Sequence, residues 1–252
     1  MSKSVQEIET NPDGGKKPWE CADNDEMIAK LRQYRDERHV ADHPFTQAIG
    51  KGEISREGIV SYLGQFCVYV ERGGKAWLPW LLGNIPVGLE FRKAKNVLLD
   101  NLYGEFREPA DHVDLLLDMA AKAFGADKDQ LYNSALLPET TAFMRIEEYY
   151  ARDASWLEAV TALGFGLETQ SPRYFTEIRN GLQKNYGLAD SFYYDMHIKA
   201  DIDHGDSVEV LLKAYTKPDN MAAVWKAATE SIDAYQLWHD GLYRAYVSGK
   251  RP

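Results

Sequence analysis

The sequence predicts an all-α fold, a single-domain multi-helix bundle, on the basis of three observations. The chain has 252 residues, of which 44% are hydrophobic and 27% charged, enough for one sizeable core and ordinary for a globular protein. Apolar residues recur at helical spacing along most of the chain, and no segment shows the alternation of a strand. Proline or glycine separates many of these periodic segments, as is typical of helix boundaries.

The polar N-terminal segment is predicted to lie outside the bundle. Residues 1–22 contain Pro12, Gly14 and Gly15, which interrupt any helical period. We therefore expect a flexible N-terminal arm over 1–22 and a helical domain over 23–252.

The helices follow in order along this domain. A first helix is predicted from Asn24, and Ser55 is a suitable N-cap for a long apolar helix that ends near Gly73. The remaining helices are predicted over roughly 75–83, 88–106, 111–124, 138–152, 155–167, 171–184, 189–214 and 219–247.

Composition excludes several classes of partner. The chain has 29 basic and 39 acidic residues, a net charge of −10, and no cluster of basic residues, so neither nucleic acid nor an anionic membrane is expected as a partner. There is no secretory signal and no apolar run of about 20 residues. Cys21 and Cys67 form no disulfide framework. A soluble, cytoplasmic protein is therefore predicted.

One helix face carries residues that suit a metal. In MHIKADIDHGD, His197, Asp201 and His204 follow one another at i, i+4 and i+7, so a helix places all three side chains on one face. This spacing offers two imidazoles and a carboxylate to a single site.

Two further segments add ligand candidates. Glu105 and His112 are seven residues apart, although Pro109 between them requires the helix to bend or restart. Glu168 is a lone carboxylate in the apolar stretch VTALGFGLETQSP, where burying a charge is costly unless a metal or partner neutralises it.

Together these residues form a set of three carboxylates and three imidazoles, which suits two ferrous or manganous ions better than zinc. Carboxylate-bridged di-iron proteins place such side chains inside helical bundles. An Asp–His pair at helical spacing is also common as a plain salt bridge, so the residues alone leave both interpretations open. The candidate ligands are Glu105, His112, Glu168, His197, Asp201 and His204.

Several motifs resemble a known superfamily. The segment HPFTQAIGKGEISREGIVSYLGQF resembles the opening of the heme-oxygenase-like superfamily, which includes the TenA thiaminases and PqqC, and the resemblance runs from about Asp23 to Tyr246. The ligand spacing is similar to that of its diiron oxidases and oxygenases. LLDNLYGEFREPADHVDLL and LETQSPRYF most resemble the branch of the chlamydial death-domain-associated protein, whose members make 4-aminobenzoate.

This resemblance implies an enzyme and its cofactors. It implies that all six candidates are metal ligands, with Glu105 and Glu168 also catalytic, and that the site holds two Fe(II) ions, an Fe/Mn pair being the alternative. Dioxygen is then the co-substrate. The implied reaction is hydrogen abstraction, C–C cleavage or N-oxygenation of a small amino-acid-like or carboxylate-bearing molecule in a biosynthetic pathway. An external electron donor and a homodimer are further expectations.

Two positions depart from the aminobenzoate-forming members. Those proteins consume their own side chains and have a Tyr after His-Pro-Phe and a Lys some ten residues past the central Glu. This chain has Thr46 and Ile178 there, so the resemblance does not extend to self-sacrificing synthesis.

Substrate-binding candidates come from one helix and one arginine. Tyr62, Gln65, Phe66 and Tyr69 repeat at helical spacing and could line a pocket, although such stripes are more often core. Arg173, like Arg145 and Arg152, could clamp a carboxylate, although a surface ion pair is the commoner role.

Two other function classes stay open at this point. One is a metal-free enzyme, either a PqqC-like oxidase or a TenA-like thiaminase, for which Cys67 is the candidate nucleophile. The other is a non-catalytic helical interaction protein, in which the histidines and carboxylates are structural.

Overall fold

The computed structural model describes residues 17–107 and 109–249, and within these ranges it contains helices and no strand. The all-α prediction is confirmed. The twelve α-helices of the described ranges are α1 Asn24–Glu37, α2 Pro44–Lys51, α3 Arg56–Arg72, α4 Leu78–Asn84, α5 Arg92–Arg107, α6 His112–Phe124, α7 Lys128–Tyr132, α8 Pro138–Asp153, α9 Trp156–Ala159, α10 Ser171–Tyr186, α11 Phe192–Tyr215 and α12 Met221–Tyr246.

Local side-chain chemistry fixes where several of these helices begin. Ser55 caps α3, as predicted, because its hydroxyl accepts a hydrogen bond from the backbone N–H of Gly58 at 3.0 Å. Asp111 caps α6 in the same way through the N–H of Val113. The chain therefore restarts a helix at His112, beyond Pro109, as the sequence requires.

Two π-helical segments and two short helices were not predicted. Gly73–Trp77 joins α3 to α4, and Val160–Leu167 follows α9 where a regular helix was expected. Helices α2 and α7 lie in segments to which the sequence assigned no helix. Both helices are shorter than nine residues, too short to show a clear apolar period.

The second π-helical segment is buried throughout and packs between α11 and α12. Glycines permit this close approach. A Cβ at Gly164 would lie 2.5 Å from Cγ2 of Val208 on α11, and one at Gly166 would lie 2.5 Å from Oγ of Ser231 on α12. This tight packing delivers Glu168, which follows the segment directly, into the interior of the bundle.

The described part of the predicted N-terminal arm is short. The expectation of an arm over 1–22 falls mostly outside the described residues, since the description begins at Lys17. The helical domain is anchored where it begins: the Asn24 amide donates to the carbonyls of Lys213 and Thr216 at the end of α11. No helix in the described ranges is both long and apolar enough to cross a membrane.

Candidate metal centre

The six candidate ligands come from four separate parts of the bundle. Glu105 lies near the end of α5, His112 begins α6, Glu168 follows the second π-helical segment, and α11 carries the other three. His197 and Asp201 are buried, and His204 is half-buried.

A first cluster joins α5, α6 and α11. Nδ1 of His112 lies 3.0 Å from Oε2 of Glu105. One donor atom each from Glu105, His112 and His197 lie within 4.8 Å of one another, a spacing that could hold one metal ion. The rings of the two histidines meet edge to face, with centroids 4.6 Å apart.

A second cluster joins α11 to Glu168. Nδ1 of His204 lies 3.5 Å from Oδ1 of Asp201 and 4.0 Å from Oε2 of Glu168. The side-chain amide of Asn101 donates to the other oxygen of Glu168 at 3.1 Å. These contacts leave Oε2 of Glu168 buried and without a hydrogen bond.

The tautomer of His197 suits a ligand. Its Nδ1 lies 2.8 Å from the carbonyl oxygen of Tyr193. A carbonyl only accepts, so Nδ1 carries the hydrogen and the lone pair is on Nε2. Metal-binding histidines are commonly fixed by a backbone carbonyl in this way. The Tyr193 ring packs against the imidazole, with centroids 4.4 Å apart.

The pKa values of Glu168 and His204 depend strongly on each other's charge. Burial raises the pKa of Glu168 to about 7, an effect increased by Asp201 and Glu105 and opposed by His204. Burial lowers the pKa of His204, but its hydrogen bond with Asp201 and the charge of Glu168 outweigh burial and raise it to about 9. The carboxylates thus need positive charge, and among the described residues the imidazole of His204 provides it for Glu168.

The residues therefore fit a divalent metal ion. A buried carboxylate oxygen without a donor, beside two further carboxylates, is costly unless a cation faces it. The mixed carboxylate and imidazole donors match the preferences of ferrous and manganous ions.

Two cavities meet at Glu168. An inner cavity of about 110 Å³ has several aromatic side chains in its walls and also contacts Glu105, His197 and Asp201. An outer cavity of about 240 Å³ has aliphatic walls and also contacts Asn101 and His204. Leu78 and Leu163 line both cavities, so they lie between them.

The predicted pocket residues divide into two groups. Phe66 and Tyr69 line the inner cavity. Tyr62 lies in the core, where its hydroxyl is 2.9 Å from that of Tyr174. Gln65 accepts hydrogen bonds from the N–H of Leu137 and the hydroxyl of Thr140, so it joins α3 to α8 and does not line either cavity.

The predicted arginine clamps lie at the surface. Arg173 is 52% exposed and pairs with Asp42. Arg145 and Arg152 both pair with Glu148. Neither cavity is lined by Lys or Arg within the described ranges, so no guanidinium there can bind a substrate carboxylate.

Sequence reasoning missed several residues around the centre. Asn101 lies one turn before Glu105, so the i, i+4 rule applied to α5 would have identified it. Tyr193 likewise precedes His197 by four residues. Tyr235, on α12, lines the inner cavity with no such signal in its own helix.

Cys67 is unsuited to the role of an activated nucleophile. It is completely buried, and burial raises the pKa of its thiol to about 11. Reactive cysteines are partly exposed and have a depressed pKa. The structure thus gives no support to the Cys67 chemistry that a TenA-like hydrolase requires.

Comparison with known proteins agrees with this architecture. The chain is 27% identical over 225 residues to a 4-aminobenzoate synthase of Nitrosomonas europaea, covering 84% of this chain and 88% of the relative. A CADD-like protein of unknown function from Nostoc punctiforme has a TM-score of 0.75 at 17% identity, with 89% of this chain and 98% of that one covered.

A second solved structure and a family model also match this chain. A domain of unknown function with a heme oxygenase-like fold, from Shewanella denitrificans, has a TM-score of 0.70 at 17% identity and covers 88% of this chain and 93% of its own. A family model described as iron-containing redox enzyme matches residues 60–236, a range that contains all six candidate ligands. The chain therefore belongs to this family of iron-containing redox enzymes.

Proposed function

We propose that the protein is a dioxygen-dependent diiron oxidoreductase that oxidises a small organic molecule. The observation that carries this proposal is Oε2 of Glu168, which is buried and accepts no hydrogen bond. Glu168 also lines one cavity together with Glu105 and His197 of the first cluster. A metal ion facing this atom supplies the missing charge.

The six ligand candidates divide into two sets of three. Glu105, His112 and His197 would hold one ion, and Glu168, Asp201 and His204 would hold the second. When bound, a pair of ferrous ions supplies the electrons and the binding site for dioxygen.

The protein's own residues orient these ligands. The carbonyl of Tyr193 fixes the tautomer of His197, and the amide of Asn101 holds one oxygen of Glu168 so that the other faces the centre. Aromatic side chains such as Phe66 and Phe175 line the inner cavity beside these ligands.

The outer cavity is the proposed place for the substrate. Its walls include Leu81, Val97, Leu98, Val160 and Val208, so it fits the apolar part of a small molecule. Because no Lys or Arg of the described ranges lines it, no guanidinium or ammonium group is available there to bind a substrate carboxylate.

The relatives' named activity carries over only in part. The Nitrosomonas relative is named a 4-aminobenzoate synthase, but here Thr46 donates its hydroxyl hydrogen to the carbonyl of Val40, and Ile178 is fully buried. Neither can replace the Tyr and Lys of the aminobenzoate-forming members. We infer that this protein acts on an external substrate.

The test begins with metal loading. Apo protein is loaded anaerobically with ferrous iron, its iron is counted, and dioxygen uptake and visible absorbance are followed after mixing with dioxygen. About two irons per chain and rapid uptake of dioxygen are expected. His197→Ala should lose both, whereas His39→Ala, which changes the residue that caps Val40–Asp42, should keep both. Wild-type protein that binds no iron, or binds iron without consuming dioxygen, would contradict the proposal.

A second measurement tests the external substrate. Iron-loaded protein incubated with dioxygen and reductant should yield no 4-aminobenzoate by mass spectrometry. Its formation from the protein alone would show self-sacrificing chemistry despite Thr46 and Ile178, and would overturn this part of the proposal.

A further inference from the structure

A line of three aromatic side chains runs from the metal centre to the protein surface. It begins at Tyr69, which lines the inner cavity together with Glu105 and Glu168. The ring of Tyr69 meets that of Trp77 with centroids 5.8 Å apart and planes at 62°. Trp77 is only 3% exposed, so the step from Tyr69 to Trp77 stays inside the protein.

The third ring reaches solvent. Trp80 is three residues beyond Trp77 on a continuous helical stretch, so the two side chains share a face. Both line the same surface hollow, of about 310 Å³. Trp80 is 39% exposed, which makes it the outer end of the line.

The hollow carries positive charge on an acidic protein. Arg72 and Arg145 line it, and the guanidinium of Arg152 lies 5.9 Å from the Trp80 ring. Glu148 offsets part of this charge, since it pairs with Arg145 and Arg152. Arg72 has no ion-pair partner in the described ranges, so the hollow favours a small anion.

Besides Trp77, the Tyr69 ring contacts three aromatic side chains that are all buried: Phe66, Phe143 and Trp238. Trp238 lies 5.3 Å from it by ring centroids but is completely buried and continues to Phe143 and Tyr235. Trp77 and Trp238 thus both contact Tyr69. Of these two, only Trp77 lines a hollow together with the exposed Trp80. This difference provides a matched control.

We propose that Tyr69, Trp77 and Trp80 form a path along which single electrons travel from a small anionic reductant at the surface to the metal centre when no substrate is present. Tyr and Trp are among the side chains that most readily lose one electron. The Tyr69 and Trp77 rings are in contact, and Trp77 and Trp80 line the same hollow, so the loss can be passed on in short steps. The path would protect the centre from its own oxidant, and it rests on the proposed diiron function.

Each electron that travels along the path comes from the reductant and ends on dioxygen. Dioxygen is the oxidant, and ascorbate represents the class of reductant. Ascorbate gives one electron to Trp80, releases one proton to solvent and becomes its radical. The oxygen being reduced at the centre takes up one electron and one proton. Tyr69 gives its electron and its hydroxyl proton to that oxygen, and it regains a proton from solvent when Trp77 reduces it. Trp77 and Trp80 each lose and regain one electron, so all three side chains return to their starting state.

The first experiment detects oxidation of Trp80, the residue at the surface end of the path. Ferrous-loaded protein is mixed with dioxygen without substrate or ascorbate but with catalase, and tryptophan oxidation is mapped by peptide mass spectrometry. Oxidation of Trp80 should exceed that of Trp225, a partly exposed tryptophan outside the path, by about tenfold. Ascorbate should suppress it. Similar oxidation at Trp225 would indicate a diffusing oxidant and overturn the proposal.

Two variants test the route. Trp77→Phe should reduce Trp80 oxidation by about tenfold, whereas Trp238→Phe should leave it unchanged, and iron content and circular dichroism establish that both variants fold. Equal Trp80 oxidation in Trp77→Phe and wild type would overturn the path. Dioxygen uptake separates the two proposals: uptake without selective Trp80 oxidation contradicts the path alone, whereas no iron binding or uptake contradicts the diiron function as well.

The surface hollow has its own test. Arg72→Glu reverses the charge of the unpaired arginine and should raise the ascorbate concentration needed to protect Trp80. When no ascorbate is added, Trp80 should be oxidised to the same extent in the variant and the wild type. An unchanged ascorbate requirement would contradict the role of this hollow in binding the anion.

Discussion

Nδ1 of His112 lies 3.0 Å from Oε2 of Glu105, although the two residues belong to different helices. The break at Pro109 ends α5 and lets Asp111 cap a new helix whose first residue is His112. Glu105 and His112 therefore meet at the turn between α5 and α6. At the start of the new helix, the His112 ring also packs edge to face against the ring of His197 on α11.

Removal of one carboxylate charge should affect metal content in a position-dependent way. Asp201→Asn is expected to lower bound iron from about two to about one per chain, because Asp201 is buried beside His204 in the second cluster. Iron analysis of the purified, reloaded protein measures this. Asp203→Asn, an exposed neighbour on the same helix, should retain full iron content. Equal iron in both variants would remove Asp201 from the ligand set.

The amide of Asn101 should contribute to iron affinity without touching the ion. Asn101→Ala removes the hydrogen bond to Oε1 of Glu168 and is expected to weaken iron binding by about 10–100-fold, as is typical when a residue that orients a ligand is lost. Competition with a chelator measures the affinity. Asn96→Ala, at an exposed position of the same helix, is the control. An unchanged affinity would show that Glu168 needs no orienting partner.

The close packing of the second π-helical segment should make Gly164 intolerant of a side chain. Gly164→Ala is expected to cost about 1–3 kcal/mol of the free energy of unfolding, because the new methyl would lie 2.5 Å from Val208. Val208→Ala should relieve part of this cost, so the double variant should be more stable than the sum of the two single changes predicts. Urea unfolding measures all three.

A glycine with free space around it is the control for this series. Nothing lies within 4 Å of a Cβ placed on Gly104, so Gly104→Ala should be neutral or stabilise the protein by about 0.5–1 kcal/mol. A similar loss at both glycines would indicate that helix geometry, and not contact with Val208, sets the cost.

Buried Glu147 should make stability fall as the pH rises. Burial raises its pKa from an ordinary value of 4.5 to about 8. Between these two values the unfolded chain has lost the proton that the folded chain keeps, so the contribution of Glu147 is fully present below about pH 4.5 and is lost as the pH rises through about 8. The hydrogen bonds agree with a protonated acid. Ser231 has one hydroxyl hydrogen and lies within reach of both the carbonyl of Ala162 and Oε1 of Glu147.

Glu147→Gln tests this directly. The variant should flatten the dependence of unfolding free energy on pH between about 5 and 8, because its amide can donate to Ser231 at every pH. Glu139→Gln on the same helix should act in the opposite direction, since burial raises the pKa of Glu139 but the hydrogen bond and charge of Arg244 outweigh burial and lower it. Glu139 therefore stabilises the folded protein at neutral pH. Parallel pH curves for wild type and Glu147→Gln would mean that Glu147 is ionised in the folded protein.

The sequence by itself determined the fold class and part of the centre. Helical periodicity placed His197, Asp201 and His204 on one face, because the spacing of residues along one helix depends only on local geometry. The N-cap at Ser55 and the restart after Pro109 were equally local, and the structure has both.

The tertiary structure decided everything that depends on packing between helices. It placed the second π-helical segment against Val208 and Ser231, brought Asn101 and Tyr235 to the centre, and turned Arg173 outward to Asp42. It also placed Gln65 where its hydrogen bond with Thr140 joins α3 to α8. The physical reason is that the period of a helix shows which residues share a face, whereas the neighbour of that face is set by long-range packing.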